Sequence, residues 1–189
     1  YVSQTNAIGC ESSRSEIVVS TKANPPTPFI VAVPNNTLHP GQTVSITTTA
    51  GAGNSVAWYR DGVLLAGQTS NSVIVDVDLL GTYSLRLTNT DGCTSTSNNV
   101  VVSAVERKKL FIYPNPSRGQ FQVRYFSDVN NLSPRRLAIY NAAGKLVYSS
   151  VNVMSGAYTP IYVDLSRNGN GVYLVHLMEN DGSVIMTEL

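Results

Sequence analysis

The chain has 189 residues, enough for two domains of about 80–100 residues each, and only 13% of them are charged. Its 13 basic and 12 acidic side chains give a net charge of +1, which excludes the broad basic surface that nucleic-acid binding requires. No apolar run approaches the ~20 residues of a membrane-spanning helix, so we expect no direct membrane insertion.

The first twenty residues match a later stretch of the chain. Tyr1–Ser20 aligns with Tyr83–Ser103, which places Cys10 and Cys93 at 83 positions from each other. A period near 80 residues with strand-like content predicts tandem β-sandwich domains, because solenoid repeats are only about 20–50 residues long. We therefore interpret residues 1–24 as the last strands of a preceding repeat. Because the chain begins without Met or a signal peptide, we also expect it to be the C-terminal piece of a longer protein.

Residues 25–104 predict one complete repeat that resembles the immunoglobulin-like fold. Its strands are expected at residues 43–49, 55–60, 63–65 and 72–77, where β-branched and alternating residues concentrate. Trp58 occupies the place of the core indole of that fold. Tyr83 follows a turn as in its tyrosine corner, where the hydroxyl bonds back to that turn. Leu85 stands where the second cysteine of the inter-sheet disulfide would be, so the resemblance is to a relative without that bond.

A short charged segment follows. Residues 105–109 are the densest run of charge in the chain and predict a solvated linker. Residues 110–189 then predict a second antiparallel sandwich. Its seven strands are expected at 110–113, 120–126, 136–140, 145–149, 161–165, 172–178 and 183–189. Pro114 and Pro116 have no amide hydrogen, so the first strand must end before them, and Gly119 provides the freedom to turn into the next strand.

Several short motifs occur in a fixed order within this second sandwich. They comprise Pro114, Asn115, Pro116, Gly119, Phe121, Asn141, Gly144, Gly171 and Tyr173. Each motif alone is adequately explained as a turn with adjacent core residues. Their joint order behind an immunoglobulin-like repeat resembles the type A C-terminal sorting domain of the type IX secretion system in Bacteroidetes. The resemblance covers about 80 of the 189 residues.

The resemblance implies a non-catalytic export and sorting signal. A domain of this kind folds in the periplasm and is recognised by the outer-membrane translocon and its shuttle protein. A surface sortase then removes it and attaches the cargo to lipopolysaccharide, so the cargo ends at the cell surface or is secreted. We expect the cleavage within the exposed segment of Ser103, Ala104, Val105, Glu106, Arg107, Lys108 and Lys109. The repeats would then be spacers.

The chain departs from its relatives at two places. The family implies a last strand with Lys near its end, whereas this chain ends in Val184–Leu189, so we expect residues beyond Leu189 to bear on export. In related repeats an early cysteine pairs with the one that corresponds to Cys93, but here His39 occupies that early position. The resemblance thus implies a free thiol at Cys93 and a partner for Cys10 upstream of Tyr1.

Catalytic and metal sites are poorly supported. A Cys–His nucleophile pair would need Cys93 beside His39 or His176, and no third orienting residue is evident for the plausible pair with His39. We predict that His176 faces solvent. Asp76 and Asp78 lie two apart on one strand and could join a calcium site, but no loop with ligand spacing surrounds them, so a solvated strand face is the better interpretation. We predict no enzyme, cofactor or metal.

The alternative hypothesis is an adhesion or carbohydrate-binding stalk. Seven of the ten tyrosines lie in the last eighty residues: Tyr113, Tyr125, Tyr140, Tyr148, Tyr158, Tyr162 and Tyr173. Most of them alternate with aliphatic residues, so core and cross-strand packing is the simpler explanation of their presence.

Overall fold

The computed structural model describes residues 1–49, 51, 53–128 and 133–189, and every regular element in these ranges is a β-strand. The strands form two sandwiches, each with two sheets around its own apolar core. The predicted all-β fold with tandem sandwiches is therefore confirmed. The described residues contain no helix that could cross a membrane.

Among the described residues, nine strands build the first sandwich. They are β1 Ile30–Val33, β2 Thr37–Leu38, β3 Val44–Thr48, β4 Ser55–Arg60, β5 Val63–Leu64, β6 Ser72–Val75, β7 Gly81–Thr88, β8 Thr94–Thr96 and β9 Val100–Ala104. One sheet has the order β1-β3-β6, and the other has the order β2-β9-β7-β4-β5 with β8 beside β7. The short pairing of β2 with β9 is parallel, whereas the other pairings of the described strands are antiparallel.

The core of the first sandwich follows the predicted alternation. In β3, Val44 and Ile46 face inward and are almost fully buried. Trp58 is fully buried, and its indole Nε1 donates a hydrogen bond to the Ser70 carbonyl (2.8 Å). The buried Tyr83 donates its hydroxyl hydrogen bond to the Leu79 carbonyl. The core tryptophan and the tyrosine corner are thus confirmed.

The described part of the second sandwich has seven strands, as predicted. They are β10 Phe111–Tyr113, β11 Gln120–Arg124, β12 Arg135–Asn141, β13 Leu146–Asn152, β14 Ile161–Asp164, β15 Tyr173–Met178 and β16 Val184–Glu188. The sheets have the orders β10-β11-β14 and β13-β12-β15-β16. Val123 and Val163 of the first sheet meet Ile139 and Val175 of the second in one buried cluster. The longer sheet has β13 and β16 at its edges.

The repeat found in the sequence has a structural counterpart in its turns. The Asn6 amide donates to the Cys10 carbonyl (3.0 Å), and the Asn6 side-chain oxygen accepts from the Cys10 amide (3.0 Å). Asn89 makes the same two hydrogen bonds with Cys93, at 3.0 and 2.9 Å. The two turns are therefore the same local structure, as the sequence match predicted.

Residues 1–24, interpreted above as the last strands of a preceding repeat, form no regular strand. Residues 1–24 form only two isolated antiparallel bridges, Val2 with Ser15 and Thr5 with Glu11, and their side chains are mostly exposed. A two-stranded ribbon without a covering sheet cannot bury an apolar face, which explains why the strands do not extend. The chain that follows this segment is anchored to the first sandwich. Pro25 is buried, and its carbonyl accepts a hydrogen bond from the Ser95 hydroxyl (2.6 Å).

Candidate functional site

The Pro114–Arg118 segment forms an exposed turn directly after β10, which ends at Tyr113 as predicted. Proline cannot donate to a strand ladder, so the two prolines remove this stretch from the sheet. The side-chain amide nitrogen of Asn115 donates a hydrogen bond to the Leu189 carbonyl oxygen (3.4 Å). The Pro114–Arg118 turn therefore contacts the residue that follows the last strand, although Asn115 and Leu189 are 74 positions apart.

Gly119 follows this turn and packs against the backbone of Ser166, which comes after β14. Its φ is +100°, and a Cβ at this position would lie 2.6 Å from the Cα of Ser166. The Gly119 carbonyl also accepts a hydrogen bond from the Leu165 amide (2.7 Å). Only glycine combines this φ with so close an approach of two backbones. The motif glycine is thus required by local geometry.

The Asn141 turn connects β12 with β13. Asn141 exchanges backbone and side-chain hydrogen bonds with Lys145, its amide donating to the carbonyl (3.0 Å) and its side-chain oxygen accepting from the amide (2.9 Å). Gly144 has a φ of +73° and open space around it. This is the same turn as at Asn6 and Asn89, so the second sandwich uses the hairpin chemistry of the repeat.

The last motif surrounds the start of β15. The Tyr173 hydroxyl donates to the Gly169 carbonyl, four positions back, as Tyr83 does to Leu79 in the first sandwich. This second tyrosine closure was not predicted from the sequence. Gly171 differs from Gly119, because it has no positive φ and a Cβ added there would meet no atom within 4 Å. Its side-chain position is open to solvent.

The motif residues converge on one end of the second sandwich. A cleft of about 520 Å³ is lined by seven of the nine: Pro114, Asn115, Pro116, Gly119, Phe121, Gly171 and Tyr173. The other two, Asn141 and Gly144, line an adjoining cleft of about 460 Å³. Val172 and Leu189 line both clefts. We call this region, the two clefts with the Pro114–Arg118 turn, the motif end.

The opposite end of β11 carries a different arrangement. Arg124 is buried and donates from both terminal nitrogens to the Asp78 carboxylate of the first sandwich, at 2.6 and 2.9 Å. The buried Tyr158 donates its hydroxyl to the Val105 carbonyl (2.7 Å), and burial raises the pKa of this hydroxyl. Phe111 packs edge-to-face on Tyr158, with ring centroids 5.5 Å apart. We call this contact between the sandwiches the linker end.

The predicted linker is only partly free. Ser103 and Ala104 belong to β9 and pair with β2, which corrects the expectation of unpaired backbone there. The Val105 amide donates to the Leu38 carbonyl (2.8 Å), so both polar groups of its backbone have partners. The exposed part is the segment of Glu106, Arg107, Lys108 and Lys109.

His39 and Cys93 lie in different parts of the first sandwich. His39 follows β2 and stacks on Phe111 at 5.4 Å, at the linker end. Cys93 lies beyond the far end of the eight-residue β7, which spans roughly 20 Å. The plausible proximity of His39 and Cys93 was therefore wrong. His176 lies between the buried Val175 and Leu177 and so points to the outer face of β15, as predicted, where it is half-buried beside Tyr140 at 5.2 Å.

The acidic pair is likewise not a solvated strand face. The strand β6 ends at Val75, and the Asp78 amide donates to the Asp76 carboxylate (2.9 Å) in a turn. Asp78 is the partner of Arg124. Among the described residues, no group of three or more His, Cys, Asp or Glu side chains could hold a metal ion.

The tyrosines of the second sandwich differ in burial, and Tyr140, Tyr148 and Tyr173 are half-buried. Tyr125 and Tyr158 are buried as predicted, and burial raises the pKa of Tyr125 to about 12. Tyr113 and Tyr162, however, are 70% and 75% exposed. Core packing therefore does not explain these two. Alternation along each strand predicts that neighbouring side chains lie on opposite faces of the sheet, but the sequence does not reveal which face the other sheet covers.

Comparison with known proteins finds a family match for the second sandwich, which carries the motif end. Residues 111–188 match the family described as "Secretion system C-terminal sorting domain". No curated protein matches the chain. Among solved structures, the human OSCAR ligand-binding domain is similar at 15% sequence identity, over 88% of this chain and 96% of that one, with a TM-score of 0.35. A likeness at this TM-score supports no conclusion about fold or ligand.

Proposed function

We propose that residues 111–188, which match the family of secretion system C-terminal sorting domains, direct a cargo through the type IX translocon to the cell surface or the medium. The observation that carries this proposal is the convergence of the nine motif residues on one end of the sandwich. A sorting signal acts by being recognised and has no chemical step of its own. The chain is therefore best understood as an address attached to a cargo.

The motif end is the surface that we assign to the translocon and its shuttle protein. Its Pro114–Arg118 turn is exposed, and the Gly119 contact fixes the shape of that turn. A surface shaped by backbone geometry keeps its form when the side chains around it vary, which suits a receptor that must accept many cargoes. Recognition in the periplasm would thus read a folded shape.

The adjacent edge strand offers a mode of attachment. β16 pairs with β15 on one side and lies at the edge of its sheet on the other. Its last residue, Glu188, precedes Leu189, which lines both clefts of the motif end. An edge strand presents unpaired N–H and C=O groups to which a partner strand can add. We therefore assign β16 to the same docking surface.

The sortase would cut within the exposed part of the linker. Glu106–Lys109 is exposed and lies outside the strands, whereas Val105 is tied by two hydrogen bonds. Proteases bind extended, accessible backbone, so cleavage is favoured there over Ser103 or Ala104. The new C-terminus of the cargo would then be joined to lipopolysaccharide, and the first sandwich would remain on the cargo as a spacer.

The alternative function, a binding stalk, is favoured by the exposure of Tyr113 and Tyr162. A ligand site at these residues is compatible with a sorting role, because the two tyrosines belong to one sheet of the sorting domain. The first sandwich contributes its single Trp to a buried core, where it is not available to a ligand.

The test is export of a reporter. A fluorescent protein with a periplasmic signal peptide is fused ahead of residues 1–189, with and without any native residues beyond Leu189, in a bacterium that has the type IX system. We expect surface or medium delivery that disappears in a translocon-deficient strain, and a released reporter whose mass places the cut between Val105 and Leu110. Retention in the periplasm with the complete C-terminus would contradict the proposal.

A further inference from the structure

The outer face of the sheet β10-β11-β14 carries a row of three polar or aromatic side chains. Tyr113 pairs with Gln122, and Gln122 pairs with Tyr162, so the three residues lie side by side on one face. The neighbouring Val123 and Val163 face the core on the opposite side and are almost fully buried. The two tyrosines are 70% and 75% exposed, so their rings stand in solvent on either side of Gln122.

A cleft of about 450 Å³ lies over this row. It is lined by Tyr113 and Tyr162, by Gln120 and Gln122 between them, and by Asp164. Two strand spacings separate the tyrosines, which puts their backbones roughly 10 Å apart. The cleft thus has an aromatic ring at each side and polar groups in its floor, which is the usual composition of a small-ligand site.

The polar groups of the floor are already held in position. The Gln122 side-chain oxygen accepts two hydrogen bonds from Arg124, at 3.1 and 3.0 Å, which leaves the amide N–H groups of Gln122 as donors. None of the described residues accepts a hydrogen bond from these N–H groups. The side-chain amide of Gln120 donates a hydrogen bond to the Asp164 carboxylate (3.0 Å). This hydrogen bond holds the carboxylate, an acceptor, at the side of the cleft next to β14.

We propose that this Tyr113–Gln122–Tyr162 platform binds an uncharged polysaccharide of pyranose sugars. Each sugar ring has apolar C–H faces, which stack on aromatic rings, and hydroxyl groups, which both donate and accept hydrogen bonds. The platform offers both: the amide donor of Gln122 lies between the two rings, and the Asp164 carboxylate is an acceptor two positions from Tyr162 along β14. Two exposed aromatic side chains at this spacing suit a chain of sugars better than a single small molecule.

The charge of the platform narrows the ligand further. Hydrogen bonds from Ser166 and Gln120 hold the pKa of the Asp164 carboxyl at about 2, so this group is anionic at all physiological pH values. The positive charge of Arg124 is matched by Asp78. The charge of Arg167 also acts on Asp164 and offsets it, so the platform has no excess positive charge for an acidic polysaccharide and favours neutral ones. Aromatic grooves also bind proline-rich peptides, which makes such a peptide the competing occupant to exclude.

The experiment is native gel electrophoresis of the full chain, residues 1–189, in gels that contain a soluble neutral polysaccharide. Dextran, mannan, laminarin and hydroxyethylcellulose are the neutral probes, and alginate is the acidic one. We expect retardation by at least one neutral probe and none by alginate. Tyr113→Ala, Tyr162→Ala and Gln122→Glu should each weaken that binding at least about tenfold, as loss of a central contact does. Gln122→Glu retains an oxygen for Arg124, removes the amide donors and adds one negative charge beside Arg124.

Phe29→Ala is the matched control, because Phe29 is 68% exposed and lies in the other sandwich. It should bind like the unaltered chain. Because Tyr162 is exposed, Tyr162→Ala should keep the unfolding temperature of the unaltered chain, so its loss of binding would not be a loss of fold. The absence of retardation by every neutral probe would overturn the proposal, as would equal retardation of Phe29→Ala and Tyr162→Ala. Binding of a proline-rich peptide in place of the polysaccharides, lost in the same variants, would overturn it too.

Discussion

The two ends of the second sandwich are built in different ways. At the motif end, backbone geometry determines the shape: Gly119 packs against the Ser166 backbone, and the Pro114–Arg118 turn stays exposed. At the linker end, buried side chains from distant parts of the chain determine it, with Arg124 held by Asp78 and Tyr158 bonded to Val105. The motif end is shaped by contacts within the second sandwich, whereas the linker end depends on contacts between the two sandwiches.

This difference fits the two tasks that we assign to the ends. A receptor that meets the domain alone needs a surface that does not depend on what precedes it, and the motif end provides one. A cleavage segment needs a defined length of accessible backbone, and the Tyr158 hydrogen bond to Val105 sets where that length begins. Changes at each end should therefore affect different measurements.

The largest effect is expected from Gly119→Ala. The φ of +100° and the 2.6 Å approach of a Cβ to the Ser166 backbone should together cost about 2–4 kcal/mol of unfolding free energy. Urea unfolding followed by circular dichroism measures this cost, while Trp58 fluorescence reports the first sandwich and should keep its midpoint. Gly171→Ala is the control and should change stability by less than about 0.5 kcal/mol. If the two substitutions had equal effects, the contact of Gly119 with the Ser166 backbone would not determine the shape of the motif end.

The ion pair between the sandwiches should have the next largest effect. A double-mutant cycle of Arg124→Met and Asp78→Ala should give a coupling free energy of about 1–2 kcal/mol, because the guanidinium is buried although the carboxylate is half exposed. The exposed pair Lys22 and Asp91, 3.3 Å apart, is the control and should couple by less than about 0.5 kcal/mol. If the two cycles gave the same coupling free energy, the Arg124–Asp78 pair would stabilise the contact between the sandwiches no more than an exposed ion pair does.

Removal of the Tyr158 hydroxyl should release the start of the linker. Tyr158→Phe loses one hydrogen bond, worth about 1 kcal/mol, and should speed trypsin cleavage after Arg107, Lys108 and Lys109. Tyr125→Phe is the matched control, since no described residue bonds the buried Tyr125 hydroxyl. Its cleavage rate should stay that of the unaltered chain. Mass spectrometry of the fragments distinguishes these cuts from cuts elsewhere.

The smallest effect concerns pH. The pKa of Asp164 is about 2 in the folded chain, below the value of 3.8 for an unperturbed carboxyl, because Ser166 and Gln120 donate hydrogen bonds to the charged form. Its contribution to stability is therefore fully present above about pH 4 and is lost as the pH falls towards 2. The difference in unfolding temperature between the unaltered chain and Asp164→Asn should shrink over that range. A difference that stayed constant with pH would argue against this cause.

Much of the motif end was predictable because local rules govern it. Pro114 ends a strand in any context, and an Asn–x–x–Gly turn such as that at Asn141 closes a hairpin by its own hydrogen bonds. The tyrosine corner at Tyr83 was predicted by analogy. The equivalent closure at Tyr173 was missed, although the same Gly–x–Tyr spacing occurs at both positions.

The linker end was not predictable in the same way. Arg124 and Asp78 are 46 positions apart, and nothing in either neighbourhood indicates that they meet. The exposure of Tyr113 and Tyr162 also depends on which face of a sheet the other sheet covers, and both faces of that strand pattern contain large residues. Alternation predicts that neighbouring side chains face opposite sides, but the choice of side is made by tertiary packing.

The most direct test of the sorting role compares export of two variants in the reporter fusion. Gly171→Leu places a large side chain on the open surface of the motif end, and Asn180→Leu places the same side chain on the exposed β15–β16 turn. Both variants should fold, as judged by their unfolding temperatures. We predict that Gly171→Leu retains the reporter in the periplasm while Asn180→Leu delivers it to the surface. Normal delivery of Gly171→Leu, or equal loss in both variants, would contradict the assignment of recognition to the motif end.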